Sequence, residues 1–155
     1  MSGKIKIAIS TFLLLAFMVL VSLGRDYKNL PLSELAEKLG ESAKLSEMEC
    51  FSGLRFKKDY SFAASDYDEV VYYGHEDLMH SECLLLVKGS EDKLLVLKEK
   101  IEELGREKAE LFHSYAPDQY ELLNSAGLKI FGNILIYSVS ENSGEIVRET
   151  ESFLR

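Results

Sequence analysis

One run near the amino terminus limits what this chain can become. From Ile7 to Gly24 there are 18 residues without a charge, bounded by Lys4 and Lys6 before and by Arg25-Asp26 after. As a helix the run spans about 27 Å, just enough for a bilayer core. A helix buried in a soluble core keeps a polar stripe, and this one offers only Ser10 and Thr11 near its start. Insertion or export is the reading, with residues 1–24 as a signal peptide or transmembrane anchor. Ser22 and Gly24 supply small residues for a cut before Arg25, while the length of the run favours a retained anchor. Lys4 and Lys6 favour an inside amino terminus, although Arg25 and Lys28 blunt that bias. Either way the remaining chain is expected outside the cytoplasm, membrane-anchored and facing outward or secreted.

Behind a polar tether over 25–31, residues 32–155 are expected to form one extracytoplasmic domain. With 46% apolar residues, 28% charged residues and two prolines, the composition is that of a folded chain. The formal charge of −8 falls to about −10 once Lys4 and Lys6 are set aside, a surface that repels nucleic-acid phosphates. Nucleic acid is therefore excluded as a partner. Cys50 and Cys83 permit at most one disulfide. Cys83 sits in the run Cys83-Leu84-Leu85-Leu86-Val87, where a cysteine behaves as a small buried hydrophobe, so two free thiols are preferred over a bridge.

Periodicity then divides the domain. Leu32, Leu35, Ala36 and Leu39 recur at helical spacing, with Gly40 and Ser42 near the end. The stretch from Met48 to Tyr67 carries no clear period. Glu69–Tyr73 and Cys83–Lys88 are predicted strands, apolar on both faces and hence central, joined through a polar connection from Gly74 to Ser81 as an antiparallel hairpin. Ser90 is placed to cap a long helix with Leu94, Leu97, Ile101, Leu104, Lys108 and Leu111 as its buried stripe and a Glu102–Arg106 pair outside. Pro117 opens a short helix through Leu123 that Gly127 ends. Leu128–Val139 is strand-like around a Gly132-Asn133 turn or bulge. A last helix starts at Asn142 or Ser143 and runs through Leu154, with Ile146, Val147 and Phe153 facing inward. No β-α-β alternation is long enough for a doubly wound sheet, so the expected class is α+β, a small mostly antiparallel sheet with packed helices.

Few constellations carry chemistry. His75, His80 and Glu82 offer zinc-binding residue types, but the zincin pattern needs two histidines four apart on a helix, and here the spacing is five in a loop. Asp66, Asp68 and Glu69 cluster before a strand without the further oxygen ligands and glycine of an EF-hand loop. Tyr60, Phe62, Tyr67, Tyr72, Tyr73, Tyr115, Tyr120 and Tyr137 suit either sugar stacking or, by greater weight, core and sheet packing. His113 falls at the exposed end of the long helix. There is no nucleophile elbow, Walker loop or dinucleotide fingerprint, and no cofactor is expected.

One combination of features is more specific than its parts. Asp66-Tyr67-Asp68-Glu69-Val70-Val71-Tyr72-Tyr73 is followed by Ser81-Glu82 leading into Leu84-Leu85-Leu86-Val87-Lys88. Phe112-His113-Ser114-Tyr115, Pro117, Gln119 and Gly132-Asn133 complete the set. From Asp66 to Ser140 the chain resembles the bacterial domain-of-unknown-function family number 4358. Its members look like small exported proteins of Gram-positive bacteria with a signal or lipoprotein sequence. The resemblance implies a fold and a location but no reaction. No cysteine follows the apolar run, so this chain departs from the lipoprotein form. If members share a ligand surface, the matching polar positions are Glu82, Lys88, Tyr115 and Gln119, each of which also has a plain structural role at a strand end or helix start.

The function expected from these readings is a non-enzymatic accessory or binding domain. It would meet a protein or cell-wall partner outside the cytoplasm and, if uncleaved, the membrane through its first segment. The alternatives are a small metal-dependent or hydrolytic envelope enzyme using the loop from His75 to Glu82, and a structural component of an envelope or spore assembly.

Overall fold

The computed structural model describes residues 27–155, together with residue 10 and residues 12–16, which are helical. Among the described residues no helix is long and apolar enough to cross a membrane. The predicted signal or anchor segment lies mostly outside them.

From residue 27 the elements run α1 (Leu32–Leu39), a 3-10 turn, β1 (Glu49–Cys50), α2 (Gly53–Tyr60), a second 3-10 turn, β2 (Glu69–Gly74) and β3 (Cys83–Lys88). They continue as α3 (Glu91–Phe112), α4 (Pro117–Asn124), β4 (Gly127–Phe131), β5 (Ile134–Val139) and α5 (Ser143–Leu154). The strands form one five-stranded sheet in the order β1-β2-β3-β5-β4, antiparallel at every step. The α+β class read from the sequence is the class of the fold.

Strand alternation sets the layers. Register aligns Val70, Val87 and Leu135 on one face and Val71, Leu86 and Ile136 on the other. The first face, with Tyr72, Cys83, Leu85 and Tyr137, packs under α2, α3 and α4. The second, with Leu84, Ile134 and Phe131, packs under α1 and α5. Each strand residue therefore belongs to one of two cores divided by the sheet. Leu84, Leu85, Leu86 and Val87 are fully buried, and each such side chain contributes about 1.5–3 kcal/mol relative to exposure. Burial on both sides holds for β3 and β5. β2 is interior but half-buried, because its outer neighbour β1 pairs only at Glu49 and Cys50.

Several expectations needed revision. The buried stripe of α3 ends on Ala109 and Phe112, while Leu111 is 68% exposed. Phe112 lies three full turns beyond Ile101 and shares its face, whereas Leu111 is rotated off it by about 80°. Glu102 pairs with Lys98 at 3.0 Å instead of Arg106, an equivalent i,i+4 step in the other direction. α4 already ends at Asn124, and Gly127 opens β4. A Cβ at Gly127 would stand 2.5 Å from Val147 Cγ2 and 3.0 Å from the Ser143 carbonyl, so glycine lets α5 approach the sheet. Gly132 has φ +59 and turns β4 into β5 over two residues.

The segment read as a tether lies against the domain from residue 27. Lys28 donates its backbone N–H to the Leu154 carbonyl at 2.7 Å, and Tyr27 meets Phe131 edge-on. The unassigned stretch from Met48 to Tyr67 holds β1 and α2. Glu69, the last of the three clustered acidic residues, caps α1 on its own face of the sheet, accepting the Leu32 N–H at 2.9 Å. Pro31 stands at the cap position of α1 without a side-chain acceptor, so a strand residue supplies one.

Candidate functional site

A cleft of about 320 Å³ opens between α2, the β2–β3 loop and the middle of α3, with the first sheet face as its floor. Phe56 and Tyr60 recur one turn apart on α2 and anchor that helix in the core. The same spacing puts Arg55 and Asp59 side by side at the cleft wall, with Arg55 Nε donating to Asp59 Oδ2 at 2.7 Å. Tyr72 on β2 donates its hydroxyl to the same oxygen at 2.9 Å. The guanidinium also lies 4.6 Å from the centre of the Phe51 ring. Arg55 is thereby held in one orientation by a charge-assisted bond and an aromatic face.

The floor carries Tyr72, Cys83 and Tyr137 with Tyr60 of α2 beside them, each less than a tenth exposed. Burial raises all three tyrosine hydroxyls well above their ordinary value and pushes the Cys83 thiol up to about 12. They remain neutral at physiological pH and serve as donors, acceptors and apolar faces. A thiol so placed is not an activated nucleophile.

The β2–β3 loop forms the mouth. Asp77 Oδ1 accepts the backbone N–H groups of Met79 and His80 at 2.8 and 3.1 Å, an Asx-type turn. His80 Nδ1 lies 2.7 Å from Asp77 Oδ2, and that hydrogen bond is the main cause holding the Asp77 carboxyl below its usual range. His75 and His80 face each other with ring centres 5.0 Å apart. Even so, among the described residues no three His, Cys, Asp or Glu side chains converge as a metal site requires. Leu78 and Leu111 stand at the rim, 81% and 68% exposed.

The four positions singled out from the sequence separate. Gln119, in the first turn of α4, accepts the Ser81 N–H at 2.7 Å and pins the loop to the helix. Glu82 follows directly and lines the cleft. Lys88 sits at the other end of β3, about 17 Å along the strand, and donates to the Leu30 carbonyl at 2.9 Å. Tyr115 is 59% exposed beside Phe112, outside the cleft lining. Glu82 and Gln119 thus share one end of the sheet, while Lys88 holds the amino-terminal segment. Sequence reasoning missed Arg55, Asp59 and Gly105. The signal for the first two was present as paired i,i+4 steps, Phe56/Tyr60 and Arg55/Asp59, in a stretch too short to show a period.

Cys50 and Cys83 are both free. Register places Cys50 opposite Tyr73, on the face of Leu84, whereas Cys83 points to the other face. The sheet lies between them, which excludes a bridge.

Fold and site together define a three-layer α+β domain with a ligand-sized cleft at one end of its sheet. The chain belongs to the family described as Domain of unknown function (DUF4358), whose profile matches residues 41–140. That span contains the whole sheet and every cleft wall, and leaves α1 and α5 outside. No curated protein and no solved structure matches the chain.

Proposed function

We propose that this protein is a non-enzymatic extracytoplasmic binding module, anchored by its first 24 residues or released after their removal, that takes part of another extracytoplasmic component into the cleft. The observation that carries the reading is the cleft itself: ligand-sized, rimmed by exposed leucines, and floored by tyrosine hydroxyls and a Cys83 thiol that burial keeps neutral. Arg55 and Asp59 are bonded to each other, and His80 is bonded to Asp77. The uncharged run from Ile7 to Gly24 supports the outward location and, with the family resemblance, a Gram-positive bacterial source.

A photocrosslinking residue at position 111, in full-length protein expressed in cells, tests the reading. The expected product is a discrete extracytoplasmic adduct from position 111 and none from position 95, another exposed site on the same helix away from the cleft. The intact mass of a carboxy-terminally tagged copy is expected in the membrane fraction at full length, or in the medium shortened to near Arg25. Recovery of the full-length chain in the cytoplasm, or equal adducts from both positions, would overturn the proposal.

A further inference from the structure

The cleft holds acceptors that lack a donor. Ser81 is 3% exposed, lines the cleft, and its hydroxyl has no hydrogen-bond partner among the described residues. Buried polar atoms are satisfied in nine cases out of ten or more, so an orphaned hydroxyl at the cleft wall describes a place for a polar group of a ligand. Asp59 Oδ2 takes both Arg55 and Tyr72, and Oδ1 accepts nothing among the described residues.

Charge points the same way. The lining sets Asp59, Asp77, Glu82 and Glu107 against Arg55 and Lys108. The one arginine is already spent on Asp59. An anion would meet an excess of carboxylates, and a neutral amide would satisfy at most part of the acceptor set.

Gly105 adds a steric argument. It stands inside the 22-residue helix α3, where glycine costs about 1 kcal/mol relative to alanine. No close approach demands it, since a Cβ there would meet only the Tyr137 hydroxyl, at 3.5 Å. What the missing side chain leaves is space over the Tyr137 hydroxyl, open to the apolar wall of Leu104 and Ile101.

We infer that the cleft binds a cationic head group on an apolar stem, an alkylammonium such as a lysine side chain carries, with Ser81 and Asp59 as its acceptors. This rests on the binding reading above and specifies its ligand. An ammonium brings three donors, which suit the free lone pairs of Ser81 and Asp59, and a charge that suits the carboxylate-rich lining. The methylene stem lies between Leu78 and Leu111 at the rim.

Calorimetric titration of the full-length protein in nanodiscs tests the inference. Capped lysine (Nα-acetyl-lysine N-methylamide) stands for a protein-borne head and n-pentylamine for a free amine. Each is compared with an uncharged counterpart, the Nε-acetylated lysine and n-pentanol. At least one charged probe is expected to bind about tenfold or more tightly than its counterpart, and the tighter of the two names the source. Ser81→Ala is expected to weaken that probe about tenfold with the unfolding midpoint unchanged. Equal affinity for charged and uncharged probes, or no binding by any of them, would overturn the cationic assignment. If uncharged probes bind the native protein and not Gly105→Leu, only the ligand class falls. If Gly105→Leu leaves crosslinking from position 111 intact, the binding reading falls with it.

Discussion

At the scale of single residues, the two cysteines show how much a position on the sheet decides. Both are reduced, but Cys50 lies on the short, exposed edge strand and Cys83 on a buried central strand. Burial raises Cys83 from an ordinary value of 9.0 to about 12, so at pH 8 its thiolate amounts to roughly one part in ten thousand. Native protein treated with iodoacetamide at pH 8 is therefore expected to take one label, at Cys50, with the second appearing only in denaturant. Intact mass reads the count, and two labels on native protein would contradict the burial. The same shift has a sign for stability. A thiol kept protonated in the fold contributes fully below about pH 9 and progressively loses that contribution as pH rises to 12. Residue type alone pointed to a buried, inert Cys83, because the run around it is apolar throughout. It did not show that the cysteines face opposite sides of the sheet, since that follows from the register of β1 on β2, and a two-residue strand leaves no period to read.

At the scale of elements, the fit of α5 onto β4 rests on Gly127. Gly127→Ala would drive a methyl into the Val147 side chain and the Ser143 carbonyl, and is expected to destabilise the domain by about 1–3 kcal/mol. Adding Val147→Ala removes the closer clash and is expected to recover part of that loss, leaving the contact with the backbone oxygen. Urea midpoints of the two variants measure both steps, and an unchanged midpoint for Gly127→Ala would mean that α5 does not pack as closely as the structure places it. Strands β2, β3 and β5 and helices α1, α3, α4 and α5 were legible because each has enough residues to show its period. Gly127 was misjudged because a glycine after a helix reads as a C-terminal signal, while here its work is close packing. Asp66, Asp68 and Glu69 read as an acidic cluster, yet Glu69 bonds to a helix 37 residues earlier, a pairing without a local trace. The cleft escaped for a related reason. Its walls come from α2, a loop, α3 and β5, and only the loop had drawn attention by its residue types.

At the scale of the whole molecule, the sheet divides two cores yet joins them through single residues. Leu84 and Leu85 are neighbours in β3, both fully buried, one under α1 and α5 and the other under α2, α3 and α4. Melting either layer exposes one face of β3 and frees the strand that the other layer needs. The two cores are therefore expected to unfold as one. Leu84→Ala and Leu85→Ala should each cost about 2–5 kcal/mol, the range for a buried leucine that leaves a cavity. Each variant is expected to keep a single transition in urea, with helix content by circular dichroism and tyrosine fluorescence changing together. The slope against denaturant should match the parent, because the same surface is exposed in every case. A Leu84→Ala variant that loses its helix signal in two steps would show that α1 and α5 form a separable layer. That outcome would fit the family match, which stops short of both helices. Coincident curves would instead make α1 and α5 integral to the sheet that carries the cleft, so that a ligand bound on the first face stabilises the second as well.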